Sequence, residues 1–559
     1  MADWVVYLGG TCIAVLLVIY NIIISERNRK ARFLKQIEEQ WGNFVNREYT
    51  QEEYECISHY STSMESTWEV DDITWNDLDM DRIFKAMNHT QSSLGAEVLY
   101  DMLRKPVFSN DVLQKREKLI CFMADHKEER TKMQVIFGQI GRTREYAITD
   151  YMSMLDHVKQ KSNVIHYITA ALSAAALMSL FLDPVIGILL VILAFAVSAS
   201  TYYKEKALVE PYLISFAYLL RMMNAAEKLC KEKLEGLEEY QKSLKVGNRS
   251  LAGFRKNAGL VMSMKNSGSP LDVLMDYIRM FFHVDLIKFN HMVSVLQNRI
   301  VECKEMMATI GLLEAAIAIA SFREALPYYS RPVLKEEKKA YFQAEGLYHP
   351  MIEAPVANDI SVRKGALITG SNASGKSTFL KTAAINAILA QTIHTSMAKS
   401  YQAPFFRIYS SMSLRDNLAG NESYYMVEIK ALGRILDAVH RKDTPVLTFV
   451  DEVLRGTNTV ERIAASSHIL LELNQEHVIS FAATHDIELT YLLEQHYHNF
   501  HFTEEVQQGD ISFSYHLFSG RAQSRNAIKL LSLLGYEKKI VESAERCASR
   551  FLEQGVWEL

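Results

Sequence analysis

The chain is 559 residues long, enough for several domains with large cores. Its 49% hydrophobic and 23% charged residues suit a globular protein with added apolar segments, and a net charge of −5 argues against a surface that is basic throughout. Six scattered cysteines, with no C-x-x-C and no Cys/His metal spacing, argue against a disulfide framework and a zinc site and fit a reducing compartment.

With only ten prolines and long charged-apolar stretches, the bulk of the chain should be helical. Residues 4–25 carry no charge and are dominated by Ile, Val and Leu. Such a stretch is long enough to cross a hydrocarbon core of ~30 Å. No basic region precedes it and no small-residue cleavage site follows, so a cleaved signal peptide is not expected. Arg27, Arg29, Lys30, Arg32 and Lys35 come next, which predicts an N-terminus outside and the following chain in the cytoplasm.

A second apolar block, 162–203, is split by Asp183-Pro184. Both halves are uncharged, Pro184 marks a turn, and lysines stand on either side (Lys159 and Lys161, Lys204 and Lys206), as suits a transmembrane hairpin. A helical hairpin buried in a large soluble core would read the same way. Residues 71–159 and 204–326 read as amphipathic helices of mixed charge. Within them, 240–270 has no acidic residue but holds Lys242, Lys245, Arg249, Arg255, Lys256 and Lys265. That stretch suits either phosphates, of nucleic acid or anionic lipid, or a plain solvated helical face. The pairs Gly247-Asn248 and Ser267-Gly268 predict helix breaks there.

From residue 332 short apolar runs alternate with helical patterns, as in an α/β domain ending near Gly520. Gly365 to Thr369 reads as a buried strand. It runs into Gly370-Ser371-Asn372-Ala373-Ser374-Gly375-Lys376-Ser377-Thr378, which matches G-x-x-x-x-G-K-[ST] and opens an Ala- and Leu-rich helix. Glycines allow the tight turn that aims backbone N–H groups inward, and the helix adds the positive end of its dipole. Lys376 is placed to reach β- and γ-phosphates, and the Ser377 hydroxyl to ligate Mg²⁺, so the loop predicts an ATP site.

Val446 to Val450 forms an apolar strand ending in Asp451-Glu452. Asp451 can hold Mg²⁺ directly or through water, and Glu452 can act as general base on the attacking water. A further apolar strand, from Val478, ends in Thr484-His485, and His485 there can contact the γ-phosphate or the attacking water. Between these motifs a polar, Gly-containing loop ends in Ser423 and opens a helix at Tyr424. It is either a second anion cradle or a surface turn with an N-capping Ser423.

These stretches resemble the MutS-like ATPases, relatives of the ABC ATPases. Gly370 to Thr378 is similar to that family's G-x-N-x-x-G-K-S-T loop, with Ser371 and Ala373 where Pro and Met are usual. Asp416 to Glu428 is similar to its D-x-x-x-x-x-x-S-x-F-x-x-E signature, with Tyr425 for Phe. Asp451-Glu452 with Arg455-Gly456-Thr457 resembles its D-E-x-x-R-G-T block, and Thr484-His485 its switch histidine. Upstream, Asn88 to Gly95 with Leu99, Leu103, Pro106 and Arg116 resembles the start of the family's helical core. Tyr329 to Pro332, His349-Pro350 and Asn358-Asp359 resemble its join to the ATPase.

The resemblance implies a multidomain protein, a helical core/lever domain followed by an α/β P-loop, ABC-like ATPase domain, to which the apolar segments add transmembrane helices. The divisions expected are 1–26 (anchor), 27–70 (linker), 71–331 (helical core with hairpin 162–203), 332–520 (ATPase) and 521–559 (helix-turn-helix dimerisation segment). It also implies a homodimer with composite sites, in which Lys376, Ser377, Asp451, Glu452 and His485 of one subunit meet Ser423 of the other. The family's mismatch-reading wedge domain has no counterpart before residue 71, and no nuclease-like extension follows the tail. The expected protein is therefore a multi-pass membrane ATPase with a cytoplasmic motor. Its cycle of dimer closure and lever movement acts either on DNA or on a membrane or protein partner without DNA.

Overall fold

A computed structural model describes residues 2–63, 66–143, 162–262, 277–371, 374–412, 424–454, 457–507, 510–522, 528, 535–555 and 557. In chain order its helices are α1 (Ala2–Gln40), α2 (Gln51–Ser63), α3 (Asp72–Asp77), α4 (Met80–Met87), α5 (Ser93–Arg104), α6 (Asn110–Asp125) and α7 (Lys127–Ile140). They continue with α8 (Val164–Ser179), α9 (Pro184–Lys231), α10 (Glu238–Ser250), α11 (Ala252–Met262), α12 (Val284–Asn298) and α13 (Ile300–Ala325). Strands β1 (Val333–Lys335), β2 (Phe342–Leu347), β3 (Asn358–Val362) and β4 (Gly365–Thr369) lead into α14 (Lys376–Thr392). Then come β5 (Ser400–Pro404), β6 (Arg407–Ser411), α15 (Tyr424–His440), β7 (Val446–Asp451) and α16 (Thr459–Glu472). The last elements are β8 (Val478–Thr484), α17 (Ile487–Leu492), β9 (Tyr497–Gln507), β10 (Asp510–Ser519) and α18 (Lys538–Gln554).

The chain divides into two compact units. The first comprises Met1–Glu65, Met87–Asp101 and Leu119–Phe322, the second Ser66–Ala86, Met102–Lys118 and Arg323–Leu559. Two short pieces of the helical region, 66–86 and 102–118, thus fold with the α/β unit.

The first unit is helical, as its composition predicts. At its centre, α5 and α13 approach closely because glycine faces side chain at two points. A Cβ on Gly95 would lie 1.7 Å from Glu314 Oε2, and one on Gly311 2.3 Å from Val98 Cγ2. The absent side chains let the Glu314 carboxylate reach the start of α5. It accepts from the Gln91 N–H at 3.4 Å and the Ser92 hydroxyl at 2.7 Å, satisfying donors that the helix itself cannot. α13 is long and apolar enough to cross a membrane, but 78% of its most apolar stretch is buried within the protein, so it is a core helix.

The hairpin at 162–203 is the opposite case. α8 and α9 pack together around a tight turn at Asp183, whose side chain accepts from the N–H groups of Val185 and Ile186. Only 17% of the most apolar stretch of Pro184–Ala207 is buried, and Phe181 and Leu182 at the tip are 87% and 89% exposed. The reading of this hairpin as buried in a soluble core is therefore not met within the chain. α9 also runs on past residue 203 to Lys231 without a break, because the backbone ladder is indifferent to the change from apolar to charged side chains. Pro211 lies inside it and cannot donate to the carbonyl one turn back.

The helix in the basic stretch is interrupted, as expected, but at Leu251 rather than at the Gly247-Asn248 pair. Gly247 lies within α10, whose cap falls at Leu251, since a buried Gly247 allows close approach of the Met306 side chain instead. Of the stretch's cations, Arg255 pairs with Glu227 at 2.6 Å. Lys265 and the Ser267-Gly268 pair lie outside the described residues.

In the second unit a six-stranded sheet has the order β10-β9-β4-β8-β7-β6, parallel except for the antiparallel β9–β10 pair. A second, four-stranded sheet has the order β1-β5-β2-β3. β4 and β8 are buried along their whole length and β7 along all but its last residue, as a parallel sheet covered on both faces requires. α14 is buried almost throughout, which explains its all-round Ala, Ile and Leu content. At the edge, α3 covers β6: Ser410 Oγ donates to Asp77 at 2.7 Å, and the Met412 N–H to the same carboxylate at 2.9 Å. The loop after α14 is pinned by a buried cluster in which Arg323 grips Glu117 at 2.7 and 3.0 Å and donates to the carbonyls of Ile393 and His394.

Burial raises the Glu314 carboxyl to about 7, against a bonding environment that lowers it. A raised carboxyl favours folding fully below its unfolded value of 4.5, and that contribution is lost as the pH climbs through about 7. Denaturant titrations should show a loss of about 3 kcal/mol across this window, absent in Glu314→Gln. Equal pH dependence of the two proteins would sink the assignment.

Candidate functional site

The parallel register brings the sequence motifs together. Thr369, the last residue of β4, is level with Thr484 at the end of β8, and Asp451, ending β7, is level with Ala483. The residues that follow, Gly370, Glu452 and His485, therefore emerge side by side at the carboxyl edge of three adjacent strands. Ligands of open α/β sheets bind in this crevice.

The glycine-rich loop turns at Gly370 and Gly375, with φ of 153° and 109°. A Cβ on Gly370 would lie 2.7 Å from Ser374 Oγ and 3.2 Å from the Phe502 carbonyl, so the turn admits no larger residue without displacement. Lys376, in the first turn of α14, folds back over the loop. Its ammonium donates to the carbonyls of Gly370 at 2.8 Å and Ser371 at 2.9 Å.

Glu452 holds a left-handed φ of 60°, and Leu454 one of 57°. Non-glycine residues occupy that region at a cost on the order of 1–3 kcal/mol and cluster at functional sites. The Glu452 N–H extends the ladder to the Ala483 carbonyl at 2.9 Å, and its carboxylate lies 2.9 Å from His485 Nε2. Lys376 Nζ also approaches His485 Nε2, at 3.3 Å. One ring nitrogen cannot donate to the carboxylate and accept from the ammonium at once. The shorter contact and the opposite charge favour a proton on Nε2 shared with Glu452, leaving Lys376 to the loop carbonyls.

These groups line one cavity of about 540 Å³, together with Ser371, Ser374, Gly375, Ser377, Thr378 and Asp451. Ser377 and Thr378 are exposed to it, and the hydroxyl oxygen of Ser374 is buried with no hydrogen-bond partner among the described residues. The far wall comes from His349, Ile352, Pro355, Val356 and Tyr515. Burial, reinforced by Arg82 and Lys381, lowers His349 to about 4, so it is neutral near pH 7 and its Nδ1 accepts from the Met351 N–H. One end thus offers an ammonium, an unsatisfied hydroxyl and a helix N-terminus, a set that fits a phosphate chain. Next to it the oxygens of Ser377 and Asp451 can hold a hard divalent cation such as Mg²⁺. The other end, apolar with a neutral imidazole, fits a flat organic group.

Asn372 and Ala373 of the loop lie outside the described residues, as do Ser423, Arg455 and Gly456. Glu428 is buried on α15 and Thr457 stands just before α16. Two residues escaped the sequence reading. Arg462 on α16 grips Asp486 through two hydrogen bonds of 2.9 and 2.7 Å, anchoring the position after His485. Glu504 on β9 accepts a hydrogen bond from the Ser371 hydroxyl. Neither carries a motif, and only the fold makes them neighbours of the site.

Fold and site define a multidomain helical protein with an α/β sheet unit consistent with a MutS-like ATPase domain. Comparison with known proteins makes the relationship specific. Residues 366–552 match the family described as MutS domain V. The chain is 30% identical over 240 residues to the DNA mismatch repair protein MutS of Thermus thermophilus, covering 42% of this chain and 28% of that protein. It is 24% identical over 518 residues to the MutS of Natronomonas pharaonis, covering 83% and 59%. With the MutS of Lactococcus lactis it shares 23% over 520 residues, covering 83% and 60%. The chain is a member of the MutS-like family, and it spans less than two thirds of the length of these relatives.

The geometry predicts a contrast between two glycines. Gly370→Ala should lower the thermal unfolding midpoint, whereas Gly433→Ala, in open space on α15, should hold or raise it, a helical alanine being favoured by roughly 0.5–1 kcal/mol. A tolerated Gly370→Ala would show that the loop does not need this turn.

Proposed function

We propose that the chain is a membrane-anchored, MutS-like ATPase whose glycine-rich loop is a P-loop, and whose ATP cycle closes and opens a homodimer. The observation that carries this reading is the meeting of Lys376, Asp451, Glu452 and His485 on one cavity at the carboxyl edge of the sheet. Lys376 neutralises the β- and γ-phosphates, while the loop N–H groups and the start of α14 hold their oxygens. Bound between Ser377 and Asp451, Mg²⁺ would neutralise charge developing on the phosphates. Glu452 accepts a proton from the attacking water, and His485, within hydrogen-bonding reach of it, keeps that carboxylate oriented and reads the γ-phosphate. Ser423 of the partner subunit completes each site, so nucleotide binding favours the closed dimer.

Membrane attachment is supported by the many exposed large apolar side chains of α8 and α9, such as Ile165, Met178, Val185 and Leu189, since exposed apolar patches mark membrane or protein contact sites. The uncharged 4–25 stretch within α1 adds a first span. The basic residues that follow 4–25 and stand on either side of the hairpin support a cytoplasmic ATPase unit. The related MutS proteins are named for DNA mismatch repair, and on that likeness the cycle acts on DNA. The exposed hairpin favours the other use, an ATP-driven event at a membrane or protein partner without DNA.

Turnover of the detergent-solubilised chain with and without duplex DNA separates the two uses. Stimulation by DNA, with salt-dependent binding, supports the first; turnover indifferent to DNA, with no binding at low salt, leaves the second. At the site itself, Glu452→Gln should bind ATP but lower turnover by about 100-fold or more, and accumulate as dimer. Normal turnover in that variant would remove Glu452 from the role of general base.

A further inference from the structure

We propose that Glu504 is a positioning residue for the nucleotide site, holding Lys376 in place through Ser371. The inference rests on the reading of the cavity as an ATP site and adds a residue that no motif supplies.

Ser371 is the hub of the glycine-rich loop. Its carbonyl accepts from the Lys376 ammonium at 2.9 Å and from the Ser374 N–H at 3.3 Å. Its hydroxyl donates to the Glu504 carboxylate. The loop's one side-chain tie to the sheet among these bonds therefore ends on the residue whose carbonyl locates the lysine.

β9 makes this tie possible. It pairs in parallel with β4 until Thr369 meets His501, then continues past the end of β4 alongside the turn. Glu504 lies three positions beyond that last pair, and the antiparallel partner β10 holds it in register opposite Phe513. The loop is thus braced against a paired strand rather than against solvent.

The identity of residue 371 gives the tie its purpose. A proline at this position would fix φ through its own ring. Serine leaves φ free, and a hydroxyl bonded to a carboxylate restores the constraint. Hydrogen bonds to an ionised acceptor are about twice as strong as neutral ones. The carboxylate also carries a charge that phosphates would repel, so the same residue tests whether its bond or its charge matters.

The test is equilibrium binding of a fluorescent ATP analogue to the full-length solubilised protein, with turnover measured in parallel. Glu504→Ala and Ser371→Ala should each weaken binding about tenfold, and the double variant no further, because both remove one bond. Glu504→Gln keeps a neutral acceptor and should recover most of the affinity lost in Glu504→Ala. In Glu504→Ala the loss should appear in KM rather than in kcat, with an unchanged unfolding midpoint.

Wild-type affinity in Glu504→Ala, additive losses in the double variant, or a Glu504→Gln as weak as Glu504→Ala would each overturn the proposal. Lys376→Ala serves as the control for the underlying site. If it loses nucleotide while Glu504→Ala does not, only the positioning role fails. If the natural protein itself binds no nucleotide, the site reading fails.

Discussion

The constraint on which the α/β unit depends is the parallel register of β4, β8 and β7. Parallel strands share a direction, so their carboxyl ends reach the same edge, and an in-step register makes those ends level. A loop, an acidic pair and a histidine that are distant in the chain thereby become neighbours. A slip of one residue in any strand would turn its buried side chains toward the opposite face and retract its functional residue from the cavity. The stacked rings of Phe449 and Phe481, 5.3 Å apart on adjacent strands, oppose such a slip between β7 and β8.

The elements around that edge hold it from several sides. The start of α14 carries Lys376, and the loop beyond its end is gripped by the buried Arg323–Glu117–His394 cluster. α3 occupies the open side of β6, and β9 with Glu504 braces the glycine-rich loop. Glu117, Arg323 and Asp77 meet partners from remote segments, which is how a buried charge is retained without a large desolvation cost. At the crevice the balance differs: Glu452 keeps a left-handed backbone and Ser374 a buried hydroxyl with no hydrogen-bond partner among the described residues. A scaffold this heavily bonded can support local strain where a ligand would relieve it.

The site was largely legible in advance because its chemistry is local. Backbone N–H groups at a turn, a lysine one residue later and carboxylates at a strand end are each set by adjacent residues, and the structure brings Ser371, Ser374, Gly375, Lys376, Asp451, Glu452 and His485 to one cavity. The turn at Pro184 was legible for the same reason. The end of α9 was not, since the pattern breaks at residue 203 where polarity changes, while the helix continues to Lys231 because nothing breaks its ladder. The place of the next break was not legible either: the sequence predicts it at Gly247, which lies inside α10 and serves helix packing, and it falls at Leu251. The folding of 66–86 and 102–118 with the α/β unit was equally hidden. It rests on contacts such as Trp68 Nε1 to Tyr409 OH at 3.1 Å and the Val107 N–H to the Gln391 carbonyl at 2.8 Å, which join residues hundreds of positions apart.

The amino-acid sequence alone determined the helical character of the first unit, the strand-loop-helix around Lys376 and the family to which the chain belongs. Propensity, periodicity and short motifs act within a few residues, and all three express themselves locally. Only the tertiary structure decided that α13 is a core helix while the more apolar start of α9 stays exposed, because burial depends on neighbours as well as on composition. It likewise decided that Glu504 reaches Ser371 and that Arg462 anchors Asp486. Those pairings follow from strand order and register, which no single segment contains.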